Sequence, residues 1–236
     1  QKGQNIVITA MEHHSNIVPW QMLCERTGAE LRHLPMDEHG ELVLDDLEVV
    51  VDQHTAIVAF NHISNTLGTI NPVQKIISQA KKVGAWTLVD GAQSGPHTNV
   101  DVQLWDVDFF TLSSHKMYGP TGLGILYGKR ERLEAMAPYQ GGGEMISTVT
   151  LEKSTYAGLP HKFDAGTPHV EGIIGFGAAL KFINEIGIES ISAHERALLE
   201  YATKECSRIK GFRVIGNSKN KASVLSFVID GVHPYD

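Results

Sequence analysis

Two apolar runs end in charge. "AWTLVD" closes on Asp90, and "VDFFTL" leads into "SSHKMYGP", which carries Ser113, His115 and Lys116. Polar groups follow two further runs in the same way. Glu12, His13 and His14 come after "NIVITA", and Asn61, His62 and Asn65 come after "TAIVAF". Gln93 and Ser94 lie just past Asp90. A lysine amine and a carboxylate facing each other suit an aldehyde-bearing heterocycle: the amine forms a Schiff base, and the carboxylate keeps the ring nitrogen protonated. The protonated ring then draws electrons from a bound amino acid. Pyridoxal 5'-phosphate is such a cofactor. An imidazole can stack on its face, amides such as Asn65 and Gln93 can hold its phenolic oxygen, and hydroxyls can hold its phosphate.

These residues meet only if the runs before them are neighbouring strands, since ligands of open parallel sheets bind beyond the strands' carboxyl ends. The hydrophobic pattern predicts that arrangement. Short apolar runs read as strands at 5–10, 29–35, 55–60, 85–90 and 107–112, with helix-spaced stretches between several of them. Helices are expected over 17–27, with Ile17, Trp20 and Leu23 on one face, over 45–52, and from Pro72 to about Val83, where Gly84 supplies a stop. Strands alternating with helices mean βαβ units and an α/β fold, its parallel sheet covered on both faces. "GLGILYG" adds a strand whose direction the sequence leaves open. Further on, a long helix runs from Gly172 to Ile186 with Phe176, Leu180 and Ile183 on one face. A second helix follows from about Ser190 to Lys210, then strands "FRVIG" and "SVLSFVID". This tail reads as the start of a separate α+β unit.

The 236 residues suffice for one large domain or one and a half ordinary ones, and 42% hydrophobic with 20% charged residues supports a real core. A formal net charge of -7 offers no basic stripe, so nucleic acid is not expected as a partner. No apolar run reaches membrane-spanning length, so no membrane is expected either. Cys24 and Cys206 lie far apart without metal-type spacing, which fits two structural thiols in a reducing, cytoplasmic compartment. The chain begins at Gln1 directly before a strand-like run and stops just after another. An internal piece of a longer protein is therefore expected.

Six ordered stretches, "TAMEHHSNIVPW", "NHISNTLGTINPV", "VDGAQSGPH", "SSHKMYGPTGLGILYGK", "PYQGGGEMI" and "FDAGTP", resemble the class V aminotransferase group of pyridoxal-phosphate enzymes. Within that group they are most similar to the group II cysteine desulfurases of the SufS and CsdA type and their selenocysteine-lyase relatives. The resemblance implies fold type I. Residues 1–172 would form a three-layer α/β/α large domain with a mostly parallel sheet, its N-terminal part missing. Residues 173–236 would be the connecting helix and the truncated start of a small α+β C-terminal domain. Lys116 is then the Schiff-base lysine and Asp90 the partner of the ring nitrogen. His13, the first histidine of "EHH", stacks on the ring and is a candidate acid or base. Asn65 and Gln93 contact the cofactor oxygen, Gln93 also lying near the substrate, while Ser113 and His115 bind the phosphate. Thr167 reaches the phosphate of a neighbouring subunit, which implies a homodimer with shared sites.

The reaction so implied removes sulfur from L-cysteine, leaving L-alanine and an enzyme persulfide for iron–sulfur cluster assembly, with a sulfur-acceptor protein as a further partner. L-Selenocysteine as substrate, transamination and an inactive fragment stay open. In the family, the nucleophilic cysteine and the arginine that grips the substrate carboxylate lie downstream of "HPYD", and a phosphate-binding segment precedes the first strand. Neither Cys24 nor Cys206 matches the nucleophile's motif.

Simpler readings exist for single residues. Asp90 alone could cap a turn, but its convergence with Lys116 and Asn65 favours a site. His13 and His14 are adjacent, point in different directions and lack the i,i+4 spacing of a helical zinc pair, so no metal is expected. His14, His62 and His97 read as structural. "GGGE" (141–144) and "GPTGLG" read as tight turns, the first at the active-site entrance, because they lack a Rossmann context and a P-loop lysine. A nucleotide-binding α/β domain is the weaker alternative. Trp20, Trp86 and Trp105 read as core or interface residues, and 129–134 as a solvated helix face.

Overall fold

The apolar runs become strands because most of their side chains find cover. In a computed structural model describing residues 1–233, six strands form one sheet. They are β1 (Asn5–Thr9), β2 (Glu30–Leu34), β3 (Thr55–Asn61), β4 (Trp86–Asp90), β5 (Phe109–Ser113) and β6 (Gly124–Gly128), in the order β2-β1-β3-β4-β5-β6. The first five are parallel, and β6 returns antiparallel to β5. That settles the direction of "GLGILYG": the link from β5 to β6 is too short to hold the crossover that a parallel neighbour needs.

The connecting helices are α1 (Val18–Thr27), α2 (Leu47–Val50), α3 (Val73–Lys82), α4 (Ser94–His97), α5 (Val102–Trp105) and α6 (Arg130–Ala135). Helix α3 packs Val73, Ile76, Ile77 and Ala80 into a core with Val7, Val58, Phe60 and Val89 of the sheet. Each such valine, isoleucine or phenylalanine contributes about 1.5–3 kcal/mol on burial. Pro72 sits at the N-cap of α3, and Gly84 takes φ +77° just beyond its end, donating its N–H to the Lys81 carbonyl at 3.1 Å. A residue with a Cβ would adopt that left-handed turn only at a cost. Trp86 lies under the Arg132 guanidinium, 5.0 Å from the ring centre, and Trp105 packs against the core.

A second cluster joins Met117 to Phe176, Ala179 and Ile183 of α7 (Val170–Ile186). Only Gly187 separates α7 from α8 (Ile188–Cys206), which starts two residues before the expected Ser190 and stops four before Lys210. An exposed hairpin, β7 (Ile146–Val149) with β8 (Ser154–Tyr156), was not foreseen, since no buried alternation marks it. The final pair, β9 (Phe212–Ile215) and β10 (Ser226–Ile229), is antiparallel. The segment between them rests on the loop after β3, with Ile70 N–H donating to the Asn220 carbonyl at 2.9 Å and Ala222 N–H to the Gly68 carbonyl at 2.8 Å. Pro234, Tyr235 and Asp236, the end of the expected C-terminal unit, lie outside the described residues. Among the described residues no helix is long and apolar enough to cross a membrane.

Gly91 ties the core to the end of β4. A Cβ there would lie 1.9 Å from Cζ and 2.2 Å from Cε2 of Phe110, a ring that is itself buried in the core. Gly91→Ala should lower the unfolding free energy by about 1–3 kcal/mol through overpacking. Urea denaturation reads this as a lower midpoint with native far-UV dichroism. A midpoint equal to wild type would show that Phe110 has room to yield.

Candidate active site

Beyond the carboxyl ends of the strands lies a cleft of about 610 Å³ whose lining includes His13, Asp90, Ser113, His115 and Lys116. Five of the expected site residues therefore meet in one place. Asp90 is the last residue of β4, in register with Asn61 of β3 and Thr111 of β5. Its backbone carbonyl accepts the His62 N–H at 3.0 Å, and its carboxylate Oδ1 accepts the Ala92 N–H at 2.9 Å. One oxygen is thus fixed by the loop, and the other has no protein partner among the described residues.

Ser113 ends β5 and caps a single 3-10 turn, Ser114–Lys116, that lifts His115 and Lys116 to the cleft. Ser114 anchors this turn, donating its N–H to the Leu123 carbonyl at 3.1 Å and accepting from the N–H groups of Met117 and Gly119. On the opposite side, His13 caps the 3-10 turn His14–Asn16. Its Nδ1 accepts the Ser15 N–H at 3.2 Å and lies 2.8 Å from Ser15 Oγ. A ring nitrogen that accepts a backbone N–H carries no proton of its own, so the neutral imidazole holds its proton on Nε2.

Three expected residues do not line the cleft. Asn65 is half-buried in the turn after β3, Gln93 is half-buried ahead of α4 beside the lining residue Ala92, and Thr167 is exposed before α7. Conversely, Asn16, Trp20 and Thr111 line it unforeseen. The signal for the first two was their place in the same "TAMEHHSNIVPW" stretch as His13. Trp20 reads from sequence as helix packing, yet its indole N–H donates to Asn16 Oδ1 at 2.9 Å. Cys24 and Cys206 are unpaired, half-buried and absent from the lining.

A family model for the class-V aminotransferases matches residues 1–236. The chain belongs to the class-V aminotransferase family. A cysteine desulfurase of Cronobacter sakazakii is 49% identical over 235 residues, which cover 99% of this chain and 58% of that protein. One of Synechococcus elongatus is 49% identical over 234 residues, covering 99% of this chain and 37% of its own length. The chain thus spans less than two thirds of these curated relatives. Among solved structures, the cysteine desulfurase CsdA of Escherichia coli (S-sulfonic acid form) superposes with a TM-score of 0.96 at 38% identity, over 100% of this chain and 59% of its own. An apo cysteine desulfurase of Thermococcus onnurineus gives 0.95 at 36% identity, with the same coverage. Class-V aminotransferases are pyridoxal-phosphate enzymes. The cleft fits that group by its donor chemistry: an amine for the aldehyde, a carboxylate with one unpartnered oxygen for the ring nitrogen, an imidazole for the ring face, and a hydroxyl with a second imidazole for the phosphate.

Two buried groups near the Asp90 strand end titrate abnormally, in opposite senses. Burial pushes His62 down to about 4, and its ring packs edge-on against Trp105 at 4.8 Å. Burial pushes Glu12 up to about 7, against hydrogen bonds from Thr9, Asn16 and Asn61, and the Asp90 charge adds to the rise. For His62 the unfolded chain binds the proton more readily. Its contribution to stability is full above about 6.5 and is lost as pH falls to about 4. For Glu12 the folded protein binds the proton more readily, so its contribution declines as pH rises from about 4.5 to 7. His62→Gln removes the first effect alone. The unfolding free energy of that variant, read from urea denaturation, should fall less than wild type's between pH 6.5 and 4, by a difference of at most about 3 kcal/mol. Parallel profiles for the two proteins would show that His62 is charged in the folded state.

Proposed function

We propose that this chain is the cofactor-binding part of a pyridoxal-phosphate-dependent cysteine desulfurase, which takes sulfur from L-cysteine and leaves L-alanine. The convergence of Asp90, Lys116 and His13 in one cleft carries the reading, and the desulfurase relatives at 49% identity support it. Bound there, pyridoxal phosphate supplies an aldehyde for an amine and an electron sink for the substrate's Cα.

The residues of the chain do the rest. Lys116 Nζ holds the cofactor and moves the proton at the substrate's Cα. The unpartnered oxygen of Asp90 accepts a hydrogen bond from the protonated ring nitrogen, and the Ala92 N–H keeps the carboxylate aimed. His13 covers the ring face and offers Nε2 as an acid or base. Ser113 Oγ and the His115 side chain hold the phosphate. Asn65, in the turn after β3, and Gln93, beside the lining residue Ala92, act on the cofactor oxygen, with Gln93 also near the substrate. A cysteine thiolate other than Cys24 or Cys206 takes the sulfur as a persulfide. The electron pair of the Cβ–S bond stays on carbon, where a proton completes L-alanine.

The same reading divides the chain into a cofactor domain over 1–172 and the beginning of a smaller domain over 173–236. It makes the protein a homodimer in which Thr167 reaches across to the neighbouring site. Three apolar side chains at the start of α7, Val170, Ile173 and Ile174, are at least half exposed just beyond Thr167, which supports an interface there. The persulfide passes to an acceptor protein for iron–sulfur cluster assembly, and the site of action is the cytoplasm.

Two measurements on the full-length protein test this. Borohydride reduction after addition of pyridoxal phosphate should fix one cofactor mass on Lys116, and Lys116→Ala should abolish it. With L-cysteine as substrate, Lys116→Ala should lower alanine formation by about 10²–10⁴-fold. Absence of labelling in the wild type would overturn the cofactor assignment. Selenide from L-selenocysteine with no turnover of L-cysteine would move the protein to the selenocysteine lyases.

A further inference from the structure

Glu12 has no part in the chemistry above, yet it is buried where the cleft's elements meet. Its carboxyl collects donors from three places. Thr9 Oγ1, at the end of β1, and the Asn61 backbone N–H, at the end of β3 and 3.0 Å away, both reach Oε1. Asn16 Nδ2 reaches Oε2 at 2.7 Å, and Asn16 Oδ1 in turn accepts the indole N–H of Trp20 at 2.9 Å. Asn16, Trp20 and His13 all line the cleft, and Asn61 is in register with Asp90. A single carboxyl therefore joins the turn that carries His13 to the strand end that stands beside Asp90.

The polarity of this chain of bonds is dictated from both ends. An indole N–H only donates, so Asn16 must turn its oxygen to Trp20 and its NH2 to Glu12. A backbone N–H also only donates, so position 12 must accept from Asn61 as well. Among side chains of this length only a carboxyl accepts at both oxygens. Even when protonated it serves, because the proton can point to Thr9 Oγ1 while Oε1 still accepts from Asn61. The sheet fixes β1 against β3 without help. What it does not fix is the "EHHSN" turn, which leaves the sheet after Ala10, whose N–H still donates to the Leu34 carbonyl at 2.9 Å, and is also held at Met11, whose carbonyl accepts Asn61 Nδ2 at 2.7 Å.

We propose that Glu12 is a positioning residue, which sets His13 over the cofactor cleft by locking the Trp20–Asn16–Glu12 relay onto the end of β3. The proposal rests on the pyridoxal-phosphate reading of the cleft. A glutamine at 12 must turn an NH2 toward either Asn16 or Asn61, so one donor faces another. An aspartate at 16 sets two acceptors together. Combining the two changes restores the polarity. The introduced amide donates its NH2 to the introduced carboxylate and still accepts from the Asn61 N–H, while that carboxylate accepts from the Trp20 indole.

The test uses Glu12→Gln, Asn16→Asp and the double variant in the full-length protein, with three readouts: pyridoxal-phosphate affinity, visible circular dichroism of the bound cofactor, and melting temperature. Each single change should weaken cofactor binding by about tenfold, about 1.4 kcal/mol, and alter the visible dichroism. The double variant should recover to within about threefold of wild type. In a His13→Ala background, Glu12→Gln should change affinity by less than about twofold, since its effect passes through His13. A lower melting temperature with unchanged affinity and dichroism would reduce Glu12 to a structural role and overturn the proposal. So would a double variant no better than Glu12→Gln, or an undiminished loss in the His13→Ala background. Failure of the wild type itself to bind pyridoxal phosphate removes the reading beneath the proposal, and is a separate outcome from wild-type binding with no loss in Glu12→Gln.

Discussion

Strand β4 is bracketed by parallel neighbours on both sides, and the geometry of the cleft depends on that bracket. Asn61, Asp90 and Thr111 stand level across three strands. The ladder continues past the formal strand ends, with the His62 N–H on the Asp90 carbonyl and the Gly91 N–H on the Thr111 carbonyl at 2.8 Å. An aspartate at the tip of such a strand has little freedom left in its backbone, and the Ala92 N–H removes part of what its side chain retains. Parallel pairing of this kind persists only where apolar side chains cover it. The Val58, Phe60, Val89 and Ile76 core is what keeps a charge at the rim in place.

The rim also separates its charges. Two carboxyls, Asp90 and Glu12, approach the same strand ends, and like charges close together raise the cost of ionising both. The structure resolves this by burial. Glu12 is enclosed and pushed up to about 7, whereas Asp90 lines the open cleft. His62, enclosed beside Trp105, stays neutral at ordinary pH. Any cation that needs a partner in the cleft meets Asp90, the one carboxylate that lines it among the described residues.

Much of this was legible in the sequence, because four of the five parallel strands, β1, β3, β4 and β5, are written as largely apolar runs, and each of these leads into side chains that line the cleft or support it; β2, with Glu30, Arg32 and His33, does not. Asp90, Lys116, His13, Ser113 and His115 were found that way. Other features left no such mark. The β7–β8 hairpin is exposed throughout its first strand, so no burial pattern announces it. Helix α8 begins directly after Gly187, whose φ of +86° makes the corner without a longer loop. Trp20 shared a stretch with His13, but its helical periodicity gives no hint of an indole bonded to the amide of Asn16. The network around Glu12 is set by separations of 3 to 49 residues, which only the folded chain brings together.

Phe110 pressed against Gly91 has a meaning for how such a scaffold diversifies. A position beside the Asp90 carboxylate where any Cβ meets the Phe110 ring accepts point substitution only at a cost in stability, and so does the ring that fills the space. The hairpin at 146–156 stands at the other extreme, with Leu151 fully exposed and no core to disturb. Variation enters more readily through surfaces of that second kind. The edge next to Asp90 is, in mutational terms, the costlier of the two to change.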